Sequence, residues 1–393
     1  MTTNRNGGHS GIAFGLIVTS TVLGIAGTDL VLPAVPSLPE VLGGTYAQAQ
    51  MVLAAFVTGA AVGLLAFGTL GARFDQRRLL VGSLLTYGVV SALAGISTSL
   101  EMLIGLRFLQ GAAGSAAAVF APGMIRALFG DERAVGKLGL LGSIESLTPA
   151  LAPIAGVWLL SVAGWNASFN VIAVLALLLA AAVASLGRHL PPLTTGKGAG
   201  GYAHLLRDAT FLRYAVSHAF TLGALLVIVF AAPTVFVAAL GATLTDFIIM
   251  QVTGIATFIV AANATGRLTG RFGAERMIWV GTLLSALGGL SMLGYALAGG
   301  GNTLVVTALF IPFNLGLGFR GPPGFHRAVV ASHGDDARGA ALVVVAILGT
   351  TAIGTAAVAP FITAGLLPLA LGAAVLVLGA LLLLVAIRPL PDA

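Results

Sequence analysis

Long apolar runs alternate with short polar breaks along the whole chain. A bilayer core about 30 Å thick takes roughly 20 helical residues to cross. Divided on that length, the pattern predicts twelve spans: 11–34, 47–70, 79–98, 101–125, 136–161, 166–187, 211–238, 246–265, 277–299, 303–327, 337–362 and 366–387. Runs such as VIAVLALLLAAAVASL (171–186) lack the two-residue alternation of barrel strands. Helices are implied because the backbone polar groups of a lipid-embedded segment must be satisfied within it. The polar Met1–Ser10 leads into the first run without a small-residue cleavage site and reads as the start of a retained first helix.

Composition strengthens this reading. The chain is 58% hydrophobic and 8% charged, with a mean hydropathy of +1.04. Soluble domains carry about 25% charged residues, so most of this surface does not face water. The predicted class is an all-α integral membrane protein of twelve transmembrane helices in two six-helix pseudo-symmetric halves. The net charge of +6 is informative through its distribution, not as a nucleic-acid signal. Arg5, Arg73, Arg77, Arg78, Arg126, Arg133, Lys137, Arg188, Lys197, Arg207, Arg213, Arg267, Arg271, Arg276, Arg320, Arg327, Arg338 and Arg388 all fall on one side of the predicted membrane. The opposite loops carry Glu40, Glu101 and Asp246 and no Lys or Arg. The positive-inside rule then puts both termini in the cytoplasm. Arg107, deep in the fourth span, is the one cation left over.

The segment GRHLPPLTTGKGAGGYAHLLRD (187–208) is the longest polar stretch, and its Gly, Pro and Thr content reads as a flexible linker. It separates residues 1–187 from 210–393, with 188–209 as the connection. The halves repeat. GTLGARFDQRRL (68–79) aligns without a gap on GRLTGRFGAERM (266–277), each after the second span of its half. Gly68 matches Gly266, Arg73 matches Arg271, Phe74 matches Phe272 and Arg78 matches Arg276. Parallel repeats of this kind are a transporter architecture.

Four motifs carry a resemblance to a known family. GTLGARFDQRRLL resembles the helix 2–3 loop motif of the major facilitator superfamily. LIGLRFLQGAAGSAAA (103–118) is similar to its helix 4 motif, an Arg followed by Gln-Gly and small residues. GSIESLTPALAPIAGVWL (142–159) resembles the helix 5 motif of its drug/proton antiporters. TDLVLPAVPSL (28–38) resembles the first-helix motif of the twelve-helix Bcr/CflA group, which includes bicyclomycin and chloramphenicol exporters. The loop motif departs from the family pattern at Ala72 and Asp75, and the helix 5 motif at Thr148-Pro149 and Ala155-Gly156. The resemblance implies a cytoplasmic gate at Gly68, Gly71, Arg73, Asp75, Arg77 and Arg78. It is repeated in the second half at Gly266, Gly270, Arg271, Glu275 and Arg276. A helix 5 hinge is implied at Pro149, Pro153 and Gly156.

Three ionisable residues inside spans are candidates for proton coupling: Asp29, Arg107 and Glu145. Such residues are costly in lipid and face a cavity or a partner. Asp29 reads as a protonation site or as an interfacial helix end, since Pro33 and Pro36 follow. Arg107 lies roughly 9 Å into its span. It reads as a switchable partner of Asp29 or as a tether between helices. Glu145 lies roughly 13 Å into its span. It reads as a second proton carrier, a site for cationic substrate, or a protonated Glu bonded to a Ser or Thr. His218 reads as a packed histidine, and Arg320 and His326 as side chains snorkelling to the inner interface. The sequence GLGFRGPPGF (316–325) is expected to kink its helix.

No zinc-protease, P-loop or cysteine-metal motif is present. The reading is not an enzyme and has no cofactor; a proton gradient drives it. The function expected is export of small amphipathic drugs or metabolites in exchange for protons, by a monomer in a bacterial inner membrane, with membrane lipids as its other contacts. A sugar or metabolite transporter of the same fold is the alternative, and a gradient-independent channel or a membrane scaffold is the alternative of another class.

Overall fold

The computed structural model describes residues 5–191, 202–333 and 335–390. Lys197, most of the central linker, and the side chains of Arg5 and Arg188 lie outside the described residues. Twelve helices among these residues are long and apolar enough to cross a membrane. They are α1 (Ser10–Leu42), α2 (Tyr46–Gly71), α3 (Gln76–Gly95), α4 (Leu100–Gly130), α5 (Gly136–Ala163), α6 (Ala167–Leu186), α7 (Ala209–Ala239), α8 (Leu244–Phe272), α9 (Ala274–Leu297), α10 (Thr303–Val330), α11 (Arg338–Phe361) and α12 (Leu367–Ala386). Each overlaps one span expected from the apolar pattern.

The chain divides into two compact units, residues 1–44 with 55–199, and residues 45–54 with 200–393. The first nine residues of α2 thus group with the second unit, where Gln50 Nε2 donates to Phe230 O at 3.0 Å.

Local chemistry sets where the helices start and stop. Asp75, Ser99, Asp208, Thr243 and Asn302 each accept a backbone N–H at the first turn of α3, α4, α7, α8 and α10. Thr243 and Asp246 form a reciprocal capping box. Between α4 and α5 the break is Gly130, at φ 71° and ψ 161°, a conformation that suits glycine.

Helix α10 runs from Thr303 to Val330 with Pro312, Pro322 and Pro323 inside it. Pro322 has no N–H for the carbonyl of Gly318. Thr265 Oγ1 of α8 shares its one proton between Ala261 O at 2.7 Å and this carbonyl at 3.0 Å, and so offers it a partial donor.

Candidate functional site

The first unit builds a polar centre out of α1, α3 and α4. Helix α1 is α-helical from Arg5 to Asp29. Pro33 offers no N–H to the carbonyl of Asp29. The chain therefore tightens: Val31 N donates to Thr28 O at 3.2 Å, and Ala34 N to Val31 O at 2.9 Å, leading into a 3₁₀ turn over Leu32–Ser37. Asp29 does end the α-helix, but not at a water interface. It is 7% exposed, and Leu32, Pro33, Ala34, Val35 and Pro36 after it are buried. Its carboxyl group has no hydrogen bond or ion pair among the described residues. Leu30 O, displaced from the helical ladder, accepts from Ser168 Oγ of α6 at 2.8 Å.

Arg107 is fully buried in α4. Its Nη1 donates to Gly27 O at 2.9 Å and to Gln110 Oε1 at 2.7 Å. Gln110 Nε2 in turn donates to Ser91 Oγ at 2.6 Å, and Ser91 Oγ to Tyr87 O at 2.6 Å. Tyr87 Oη donates to Leu23 O at 3.2 Å and closes the circuit back onto α1. The guanidinium also lies over the Phe56 ring at 4.1 Å, a favourable cation–π geometry. The direct Asp29–Arg107 pair considered from sequence is not closed in this conformation: Arg107 holds a main-chain carbonyl two residues before Asp29.

Small residues make this centre possible. A Cβ on Gly111 would stand 1.9 Å from Phe56 O, and one on Gly59 1.9 Å from Phe108 O. The backbones of α2 and α4 are therefore in direct contact, a close approach of the kind small residues permit in membranes. A Cβ on Gly27 would stand 1.9 Å from Tyr87 Oη. Hence the Arg107, Gln110 and Gly111 of the helix 4 motif have separate tasks: charge, orientation of that charge, and clearance for the neighbouring backbone.

Glu145 is half-buried on α5, beside Thr21 of α1. Pro149 and Pro153 lie inside α5. Gly156 faces the α1 turn, where a Cβ would stand 2.5 Å from Leu30 O. The helix 5 motif thus packs on the turn that follows Asp29.

The loop motifs of the two units differ. In the first, Asp75 caps α3 by accepting from Arg77 N at 3.0 Å, and Arg77 Nη1 donates to Gly187 O at 3.0 Å. Gly71 packs against the Phe120 ring, Gly68 has open space, and Arg73 and Arg78 are exposed. In the second, Glu275 binds Arg213 in an ion pair and accepts from Tyr214 Oη at 2.9 Å. Gly266 and Gly270 have open space beside them, and Arg271 and Arg276 are exposed.

Arg213 is buried in the first turns of α7, where its Nε also donates to Ile387 O at 2.8 Å. One expectation is corrected beside it. Arg320 does not snorkel. It is fully buried, and its Nη1 donates to Ser217 O at 3.0 Å, Thr221 Oγ1 at 2.5 Å and Thr282 Oγ1 at 3.1 Å. Its Nη2 donates to Ser217 Oγ at 3.1 Å. Neutral oxygens from α7 and α9 take the place of interfacial water around this charge. His218 is buried beside it, edge-on to Phe325 at 6.1 Å between ring centres.

The Major Facilitator Superfamily profile matches residues 17–357. The chain belongs to the major facilitator superfamily. It is a multi-pass membrane transporter and not an enzyme. Over 265 residues it is 30% identical to a chloramphenicol resistance protein of Pseudomonas aeruginosa, covering 66% of this chain and 62% of that protein. Over 277 residues it is 26% identical to a bicyclomycin resistance protein homolog of Haemophilus influenzae, covering 69% of this chain and 70% of that one. Among solved structures, a crystal structure of the nucleoside transporter NupG is similar in fold, with a TM-score of 0.64 and 12% identity over 94% of this chain and 98% of the other. That superfamily member's likeness bears on the fold alone.

Proposed function

We propose that this transporter exports small amphipathic compounds of the chloramphenicol or bicyclomycin type in exchange for protons, by alternating access of a central site. The observation that carries the reading is the buried carboxyl of Asp29, without a hydrogen-bond partner among the described residues, at the end of an α-helix whose Gly27 carbonyl holds buried Arg107. A carboxylate in such a place is stabilised by charge from a cation or by a proton. Proton binding at Asp29 changes the field at Arg107, and a substrate competing for the same centre displaces the proton. Glu145, next to Thr21 on the same α1, is the second carboxyl of this centre. The loop motifs act as cytoplasmic clamps, and the Pro149–Gly156 segment of α5 as the bending element against α1. The proton gradient supplies the energy and no cofactor takes part. The protein works as a monomer in the bacterial inner membrane, with both termini in the cytoplasm. The names of the two relatives support the substrate class.

The test is proton release from the detergent-purified protein on adding a panel of amphipathic antibiotics, sugars and nucleosides, with Asp29→Asn beside wild type. Release on antibiotic addition, lost in Asp29→Asn while binding persists, is the expected result. Binding without proton release would overturn antiport, and release driven only by sugars would move the substrate class.

A further inference from the structure

The second unit carries an apolar groove of about 300 Å³ lined by Leu268, Phe272, Arg276, Met277, Val280 and Phe319. It lies where the end of α8, the start of α9 and the later part of α10 meet. Met277 is its buried floor, while Phe272 and Val280 are 43% and 45% exposed at its walls. Arg276 stands one turn before Val280 and is the only polar side chain in the lining. Leu268 and Phe272 are spaced four apart on α8, so they share a face. Arg267 and Arg271, each one residue earlier, form an exposed basic row beside them, and the Arg271 guanidinium lies 5.3 Å from the Phe272 ring centre.

The charge balance at this groove is one-sided. The one acid of the segment, Glu275, points inward and is taken by Arg213 and Tyr214. Its charge is spent on a buried cation, and Arg267, Arg271 and Arg276 at the surface have no ion pair among the described residues. The first-unit copy is arranged otherwise, since Asp75 stays beside Arg77 at 3.8 Å. A groove with an apolar body and a basic rim, at the end of membrane-spanning helices, is complementary to one kind of ligand.

We infer that this groove is a binding site for an anionic phospholipid, with an acyl chain along Leu268, Phe272, Val280 and Phe319 and the headgroup phosphate on Arg276. Arg271 and Arg267 stand beside the groove, outside its lining. The inference rests on the topology proposed above in one respect, that these arginines face the cytoplasmic leaflet, where anionic lipid is attracted to basic segments.

The test uses the delipidated, detergent-purified protein titrated with dioleoyl phosphatidylglycerol or dioleoyl phosphatidylcholine, with retained lipid counted by native mass spectrometry. Wild type is expected to hold one phosphatidylglycerol about fivefold more tightly than phosphatidylcholine, the effect of one arginine near a headgroup. Arg276→Gln should remove that preference, and Arg126→Gln, at an exposed arginine elsewhere, should keep it. Val280→Trp, which fills the groove, should weaken retention of both lipids. Equal retention of the two lipids by wild type, a preference that survives Arg276→Gln, or unchanged retention in Val280→Trp would each overturn the inference. The topology fails or holds separately: the chain has no cysteine, so a single Ala274→Cys labelled in sealed vesicles reports which side the groove's rim faces.

Discussion

Gly111→Ala is the sharpest perturbation of the Arg107 centre. The added Cβ would stand 1.9 Å from Phe56 O, whereas ordinary contact begins near 3.4 Å, so α2 and α4 must separate by about 1.5 Å. Both contact partners are helix backbone, so no side chain can rotate away. Overpacking a tight interior costs about 1–3 kcal/mol. The separation also draws Phe56 away from the guanidinium of Arg107, which lies 4.1 Å from its ring centre and one helical turn before Gly111. A desolvated cation–π contact is worth about 2 kcal/mol. The expected loss is therefore on the order of 3 kcal/mol. Thermal unfolding in detergent measures it, with Gly105→Ala as the companion variant. Gly105 lies on the same helix with open space around it, and Ala is the better helix former by about 1 kcal/mol. A lowered melting temperature for Gly111→Ala beside an unchanged or raised one for Gly105→Ala is expected. If Gly111→Ala melts with wild type, or both variants fall together, the backbone-contact reasoning is refuted.

Glu275→Gln should destabilise the protein by about 3–5 kcal/mol, because it leaves buried Arg213 without its anion; Tyr214→Phe, which removes one hydrogen bond to the same carboxylate, should cost about 1–3 kcal/mol, and equal losses in the two would contradict the pairing. The Asp208 carboxyl lies below its ordinary value, first because Phe211 N–H donates to it and further because His333 does. Its stabilising contribution is complete above about pH 4 and fades as pH falls through the lower folded value. Asp208→Asn, which still caps α7, should therefore flatten the acid limb of a melting-temperature profile, and an unaltered limb would exclude Asp208 as a source. Thr265→Val should cost about 1–3 kcal/mol by stranding the Gly318 carbonyl that Pro322 cannot serve; amide exchange or melting close to wild type would show that carbonyl to be satisfied otherwise.

The apolar pattern made all twelve spans legible, because the lipid requirement acts on each segment separately. The capping residues Asp75, Ser99 and Asp208 sit at the borders for the same local reason. Tertiary polar contacts were legible only as single odd residues. Arg107 and Asp29 stood out as charges within apolar runs, yet nothing local indicates that Gln110, Ser91 and Tyr87 complete the circuit, since α3 is selected by packing. Arg320 was misread because a charge near the end of an apolar run has the same local signature whether it faces water or a polar seam. The available signal was on the partner helices: Ser217 and Thr221 recur at four-residue spacing on α7, and Thr282 adds a hydroxyl from α9. The Gly59–Gly63 pair on α2 was likewise readable as a small-residue contact face.

The binding of Ile387 and Leu390 to α7 has a consequence for the order in which the protein is built. Arg213 Nε donates to Ile387 O, 174 residues further along the chain, and Tyr214 Oη accepts from Leu390 N at 3.0 Å. During synthesis α7 enters the bilayer long before either partner has left the ribosome. Glu275 reaches Arg213 first, as α9 inserts; the Nε donor of the guanidinium and the phenol's acceptor wait for residues 387–390. The second unit can therefore close only after almost all of its helices are in place. A nascent chain stalled after α11 therefore retains these open groups on α7.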